Sequence, residues 1–302
     1  MEDRLRQALD ERRHPYTLCL TEEPGHAEDL ARLARSQAVE RIMVVGGDGT
    51  LHEAVNGLLE PEASAPIPPV VLLPVGTGND FHRMLDYHGS VSGAMDLLEN
   101  GRTVEFDVGC ARWDGRSRYF VNLFGVGVDV EVLRRRTTYK RLPGGLQYLA
   151  ALTSALLAFR PIPLRVELMG HEDEEVEVIE GPGLLGAVTV GPSVGGGILL
   201  CPGATPRDDR LDLCFVRSMG PWAIARNLPK VLRGRHAGAS EIQLRRARKM
   251  RIQASDDRSL DFEMDGELGP FRAQAIELES RPRCLPVVLN GTDGAEGEPE
   301  VP

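Results

Sequence analysis

One carboxylate set in a run of glycines is the most chemically suggestive feature of this chain. Gly46-Gly47-Asp48-Gly49-Thr50 follows an apolar, β-rich run over 42–45 and leads into residues with helical spacing. The glycines let the backbone turn sharply and approach a ligand with no Cβ in the way. Thr50 and Glu53 have capping-box spacing, which predicts a helix starting at Thr50 with its unpaired amides and positive dipole end facing the turn. Such a helix start favours anions, phosphates above all. A bare carboxylate such as Asp48 repels phosphate unless a divalent cation lies between them, so the loop implies a nucleotide with Mg2+. A tight structural turn is the alternative reading of the glycines by themselves.

The arrangement repeats. Another buried-strand pattern over 70–75 delivers Gly76-Thr77-Gly78-Asn79-Asp80, followed by Phe81, Met84 and Leu85 on one apolar helical face. Two such turns at the ends of successive parallel strands open on the same rim, where open α/β sheets bind their ligands. A third acid, Asp107, closes a further predicted strand, where a turn residue is the competing reading. A fourth lies in Asp265-Gly266-Glu267, after an alternating stretch over 260–264. Asp-Gly is also among the commonest hairpin turns.

The elements that must position these residues fall into two classes. Helices are predicted over 5–13 and 27–38, with a strand over 16–20 and then the two strand-loop units, which together make a parallel α/β layer. Beyond residue 107 come β-rich runs over 119–123, 163–168, 175–179, 185–190, 211–216, 249–252 and 275–278. These predict an α/β nucleotide-binding domain over 1–107 and a mainly antiparallel β-sandwich domain over 108–290, with the reacting groups in the cleft between them. Residues 291–302 are rich in glycine, proline and acid, which predicts a disordered tail.

Composition narrows the partners. Lys and Arg number 35 against 45 Asp and Glu, a formal charge of −10, which argues against nucleic acid and gives no general attraction to anionic membrane. Local basic clusters must supply any membrane contact; the candidates are Arg134-Arg135-Arg136 with Lys140-Arg141, and Arg226, Lys230, Arg233 and Arg235. The five cysteines have no metal or redox spacing and their odd number speaks against a disulfide framework. With a charged N-terminal stretch and no leader pattern, a reducing cytoplasm is expected. The apolar run over 148–159 is too short to span a bilayer and reads as a core or lid helix.

Taken together, Gly46-Gly47-Asp48-Gly49-Thr50 with Glu53 and Asn56-Gly57, then Pro74-Val75-Gly76-Thr77-Gly78-Asn79-Asp80-Phe81, resemble the catalytic domain of the diacylglycerol kinase family, which includes bacterial lipid kinases and sphingosine kinases. Phe106-Asp107-Val108-Gly109, Phe120-Val121-Asn122, Gly125-Val126-Gly127-Val128-Asp129, Gly195-Gly196-Gly197, Pro202-Gly203-Ala204 and Asp265-Gly266-Glu267 follow in the family's order, so the likeness covers about 5–289. It implies transfer of the γ-phosphoryl group of ATP to a lipid hydroxyl. Thr21, the Gly46 to Thr50 loop, Gly76, Thr77, Gly78 and Asn79 would hold the nucleotide, although Thr21 alone would read as a helix-entry cap. Asp48, Asp80 and Asp107 would form a network around Mg2+ through water, as suits an ion that keeps several waters. Asp265 would be the general base, with Glu267 as the neighbouring acid that can raise its pKa. The Asp208 side chain with the carbonyls of Thr205 and Arg210 would hold a structural metal.

The chain departs from the family pattern in three places. It starts at what resembles the helix after the family's first strand, so either the true start lies upstream or this form is impaired. Asp209 replaces a glycine that serves a positive φ, and Val190 stands where relatives usually carry an asparagine. The expected partners are ATP, a diacylglycerol-like or sphingoid lipid, a peripheral membrane surface at the inner face and no nucleic acid; a homodimer is an assembly the resemblance leaves open. Two alternatives are a catalytically impaired nucleotide- or lipid-binding homologue and a small-molecule kinase of the NAD kinase type.

Overall fold

A computed structural model of the chain describes residues 1–61, 65–85, 87, 89–139, 144–170 and 176–291. In chain order the elements are α1 (Glu2–Glu11), α2 (His26–Ser36), β1 (Ile42–Gly46), α3 (Asp48–Leu58), β2 (Val70–Pro74), α4 (Asp80–Arg83), α5 (Val91–Asn100), β3 (Arg102–Trp113), β4 (Arg116–Phe120), β5 (Leu123–Gly127) and α6 (Val128–Arg136). There follow α7 (Gly144–Ala158), β6 (Ile162–Met169), β7 (Glu177–Thr189), β8 (Leu211–Arg217), α8 (Pro221–Leu232), β9 (Ile242–Ala247), β10 (Lys249–Ala254), β11 (Leu260–Met264), β12 (Arg272–Ala273) and β13 (Ala275–Leu289). They divide into two compact units: Met1–Phe106 together with the chain from Arg283 onward, and Asp107–Pro282. The chain leaves the first unit through β3 and returns to it through the second half of β13.

In the first unit β1 pairs with β2 in parallel, from Ile42 opposite Val70 to Gly46 opposite Pro74. β13 joins on the other side of β2, also in parallel, with Val287 opposite Val70. Val70, Val71 and Leu73 are fully buried, because a central parallel strand has both faces covered. The expected strand over 16–20 is absent. That segment is in no helix or strand, and its residues Tyr16 and Leu20 are exposed. β1 pairs with β2 alone, so residues 16–20 add no strand to its other edge.

The second unit is an antiparallel β-sandwich. β7 lies at its centre: β6 pairs with its first half, from Glu177 to Gly183, and β5 and β8 pair with its second half on opposite edges. β6 continues to β10, β10 to the first half of β13, β8 to β9, and β5 to β11. The runs expected over 175–179 and 185–190 are parts of this one long strand, although residue 175 lies outside the described residues. β8 shows why such strands read as continuous apolar runs. Its Leu211, Leu213 and Phe215 enter one core with Phe124, Val188 and Phe262, whereas Cys214 and Val216 enter a second with Ala151, Ala155 and Ala187. Both faces are therefore covered. Ala151, Ala155 and the packed Leu152, Leu156 and Phe159 place α7 in that second core, as a core helix rather than a spanning one. No helix among the described residues is long and apolar enough to cross a membrane. The cysteines of the chain are free thiols.

Candidate functional site

In the first unit the two glycine loops leave adjacent parallel strands at the same end, and Val75 donates its N–H to the Gly46 carbonyl at 3.0 Å. They meet backbone to backbone. A Cβ on Gly76 would lie 2.5 Å from Gly47 Cα, and one on Gly47 would lie 3.0 Å from Gly76 Cα. Glycine at both positions is thus required first by the loops themselves, before any ligand arrives. Asn79 takes the left-handed conformation at φ 53° and donates from Nδ2 to the Gly76 carbonyl at 2.8 Å. Its Oδ1 is buried without a hydrogen-bond partner among the described residues.

Asp48 ties the second loop to the first. Its carboxylate accepts the backbone N–H of Asp80 at 3.1 Å and of Phe81 at 3.3 Å, so it caps α4 from across the gap between the strands. α3 itself starts at Asp48, with Gly47 as its N-cap, two residues before the expected Thr50. Glu53 is the reason the capping box does not form: its carboxylate accepts from Gly25 at 2.8 Å and Ala27 at 3.2 Å, at the start of α2. A neighbouring helix supplies the stronger demand for an acceptor, and the local box gives way. Gly46, Gly47, Asp48, Pro74, Asn79 and His82 line a depression of about 240 Å3, open solvent included.

His82, which the sequence reading passed over, stands edge-on to Tyr87 with ring centroids 4.8 Å apart. Its Nε2 and the Tyr87 hydroxyl have no hydrogen-bond partner among the described residues. Burial lowers the His82 pKa and raises that of Tyr87, keeping both neutral. Thr77 and Thr21 are exposed, the first in the second loop and the second outside any helix or strand.

The remaining acids belong to the second unit. Asp107 is 1% exposed and takes the Asp209 N–H on Oδ2 at 2.7 Å, while its own N–H donates to Pro206 at 2.8 Å. Asp107 is thereby built into the loop that carries Thr205, Asp208 and Arg210. Asp208 accepts the N–H of Arg210 at 3.1 Å. The cations facing this loop are guanidinium groups. Arg246 Nε donates to Asp212 at 2.8 Å and its Nη1 lies 4.0 Å from Asp208, while Arg248 lies 3.6 Å from Asp209. Burial pushes the Asp212 carboxyl up to about 6 against the pull of Arg246. Among the described residues no three His, Cys, Asp or Glu side chains gather closely enough to hold a metal.

Asp265 and Gly266 both have positive φ, 52° and 83°, and Met264 and Glu267 exchange backbone hydrogen bonds across them. This is the two-residue hairpin turn that Asp-Gly favours. The Asp265 carboxylate, 8% exposed, accepts three backbone N–H groups from the connection between β4 and β5: Val121 at 2.9 Å, Asn122 at 2.8 Å and Leu123 at 3.0 Å. Glu267 is exposed beside the turn. Behind it lies a second acid pair. Glu263 is fully buried, holds the Gly266 N–H on Oε2 at 2.8 Å, and meets the Asp129 carboxyl with Oε1. A Cβ on Gly125 would lie 2.6 Å from both carboxyl groups, so this glycine makes room for them. Oε1 has no N–H donor among the described residues, and two carboxyl groups in hydrogen-bond contact need a proton between them. Burial raises both pKa values, that of Glu263 well above the usual carboxylate range.

Comparison with known proteins bears on this arrangement. The profile of the diacylglycerol kinase catalytic domain matches residues 1–111, and that of the YegS C-terminal NAD kinase beta sandwich-like domain matches residues 122–289. A diacylglycerol kinase of Bacillus subtilis (strain 168) is 30% identical over 250 residues, 81% of this chain and 77% of that protein. The chain belongs to the diacylglycerol kinase family of bacterial lipid kinases. A diacylglycerol kinase of Mycobacterium tuberculosis (strain ATCC 25618 / H37Rv) is 28% identical over 270 residues, 87% of this chain and 82% of that protein. A crystal structure of a diacylglycerol kinase from Bacillus anthracis str. Sterne shares the fold, with a TM-score of 0.61 at 22% identity over 90% of this chain and 84% of that one.

Seen as a diacylglycerol kinase family member, the chain accommodates its departures in different ways. Asp209 adopts φ 59°, the left-handed conformation a glycine would give, which aspartate tolerates better than most residues. Val190 is fully buried in the sandwich core, so an apolar side chain there fills space. Gly195, Gly196 and Gly197 all have positive φ, from 63° to 107°, a run that only glycine sustains. The sequence motif contained Asp129 but gave it no role, and Glu263 carried no signal at all beyond its place on an alternating strand.

Proposed function

We propose that this chain is an ATP- and Mg2+-dependent lipid kinase that transfers the γ-phosphoryl group to a hydroxyl of a diacylglycerol-like or sphingoid acceptor. One observation carries the reading: two glycine loops at the ends of adjacent parallel strands touch through Gly47 and Gly76, with Asp48 hydrogen-bonded to the amides at the start of α4. Phosphoryl transfer passes through a loose transition state, so positioning and charge neutralisation do most of the work. In this reading the loop amides and the α3 N-terminus bind the phosphates, with Thr21, Thr50 and Thr77 supplying hydroxyls. Asp48, which accepts the Asp80 backbone N–H, would hold Mg2+ with the carboxylates of Asp80 and Asp107; carboxylates completed by water and substrate phosphates are its usual setting. Bound there, Mg2+ would neutralise charge on the β- and γ-phosphates. Asp265 takes the proton of the acceptor hydroxyl, and its three amide donors fix the carboxylate's direction. A cytoplasmic enzyme working at the inner membrane face follows from a lipid acceptor.

The test is incubation of the purified chain with labelled ATP, Mg2+ and a panel of lipids and soluble acceptors. Label in extracted lipid is the expected result; label confined to NAD would replace this reading with the small-molecule one. Asp265→Asn should abolish most turnover and leave ATP affinity within about twofold, and a near-normal rate would refute the base assignment. The commitment of the Asp265 carboxylate to three backbone amides favours a second reading, in which the residue is structural and the chain binds ATP or lipid without turnover. ATP binding with no product on any acceptor would select it.

A further inference from the structure

α8 presents a combination of side chains that the fold does not use. Ile224, Asn227, Leu228 and Val231 point inward: Asn227 is 2% exposed, donating towards Met219 Sδ at 3.7 Å and Glu241 Oε2 at 3.3 Å, and Val231 packs on the second core. At 100° per residue, Trp222, Arg226, Pro229, Lys230 and the following Arg233 fall together on the opposite face. Every one of them is exposed, and Trp222 is 89% exposed although tryptophan is normally among the better-covered side chains. Leu232, 41% exposed, borders the same face.

The charge on this segment runs against the rest of the chain. From Leu213 to Ser240 there is no acid, yet Arg217, Arg226, Lys230, Arg233 and Arg235 all lie there, in a protein whose formal charge is −10. Arg226 is paired with Glu241 at 2.9 Å. Lys230, Arg233 and Arg235 make no salt bridge among the described residues and remain on the surface. The other basic cluster differs: Arg134 pairs with Asp261 and Arg135 with Glu131, so its charge is largely answered within the unit, and Lys140 and Arg141 lie outside the described residues. An amphipathic tryptophan beside cations that no salt bridge engages is chemically matched to the boundary between anionic headgroups and acyl chains. We propose that the outer face of α8 and the turn after it, with Trp222 as the apolar anchor and Lys230, Arg233 and Arg235 as the cations, dock the protein on an anionic phospholipid bilayer. The inference gives the lipid-kinase reading its route to a membrane-held acceptor, but it stands on the surface of α8 and not on catalysis.

The chain contains two tryptophans, and Trp113 is buried, so intrinsic fluorescence isolates Trp222. The full chain is mixed with phosphatidylglycerol vesicles or phosphatidylcholine vesicles, without ATP, and followed by co-flotation and emission wavelength. A blue shift with co-flotation on anionic vesicles, weakened by salt, is expected. Each exposed cation near a surface adds about fivefold to partitioning, so the triple variant Lys230→Gln, Arg233→Gln, Arg235→Gln should bind about a hundredfold more weakly. Trp222→Ala should lose the shift and part of the binding; at 89% exposure its removal leaves the fold intact. The proposal is overturned if wild type neither floats nor shifts on anionic vesicles, or if both variants bind like wild type. Concentration-dependent dimerisation abolished by Trp222→Ala, with no vesicle binding, would instead make this face a contact between two copies. Vesicle binding without lipid phosphorylation would defeat the kinase reading alone, and phosphorylation without binding would defeat this one.

Discussion

A single methyl group tests whether the two glycine loops are held by each other. In Gly76→Ala the new Cβ would sit 2.5 Å from Gly47 Cα and 2.9 Å from Asn79 Oδ1, about 0.9 Å short of ordinary contact at 3.4 Å with the backbone atom. Backbone cannot rotate away as a side chain would, so the loops must part by most of that distance. Overpacking of this kind costs about 1–3 kcal/mol. Gly47→Ala meets the same partner at 3.0 Å, a shortfall of about 0.4 Å, and should sit at or below the bottom of that range. A displacement approaching 1 Å at a site that positions phosphates costs about 10²-fold in turnover. Urea unfolding followed by circular dichroism gives the stability change, and ATP-dependent phosphorylation gives the rate. The ordering is the sharp part: Gly76→Ala must be worse than Gly47→Ala in both assays. Equal midpoints for wild type and Gly76→Ala, or the reverse order, would refute the claim that loop contact fixes these glycines.

Three further outcomes follow from the same geometry. The Glu263 carboxyl has a folded pKa raised well above its ordinary 4.5, so the stability it contributes is fully present below pH 4.5 and is lost as pH rises towards the folded value; the unfolding free energy should fall by about 1.4 kcal/mol per pH unit in that window from this proton alone. Glu263→Gln should remove the slope, seen by urea titration at several pH values, and a slope unchanged in the variant would show that no proton is held there. Glu53→Ala should cost about 1–2 kcal/mol, because it strips the acceptor from Gly25 and Ala27; a loss no larger than that of Thr50→Ala would restore the local capping box. Arg246→Ala should lower stability by about 1–3 kcal/mol, a range that allows for the partial exposure of the arginine, by leaving the buried Asp212 carboxylate without its cation. Chelator should have no comparable effect on the wild-type unfolding midpoint, and a fall with EDTA that Mg2+ reverses would show that metal also holds the 203–212 loop.

The sequence by itself determined the kind of protein this is. Apolar runs over 42–45 and 70–75 ending in glycine gave the parallel strands and the common end at which both loops emerge, since strand burial and glycine turns are local properties of the chain. Alternating and continuous apolar runs gave β6, β8, β10 and β11 of the sandwich for the same reason. What side chains do at the site depends on partners distant in sequence, and only the tertiary structure decided it. Glu53 lies three residues from Thr50 but caps α2, Asp48 caps α4 rather than standing bare, and Gly47 answers to Gly76. Residues 16–20 have strand-like composition and no strand, since composition alone does not supply the pairing partner. Asp129 and Glu263 are far apart in sequence, and their carboxyl groups come together only because β5 and β11 pair and Gly125 leaves room between them. Spacing reports which groups can turn or alternate; which acceptor each donor finds is settled by packing, where an unpaired buried group costs more than a broken local motif.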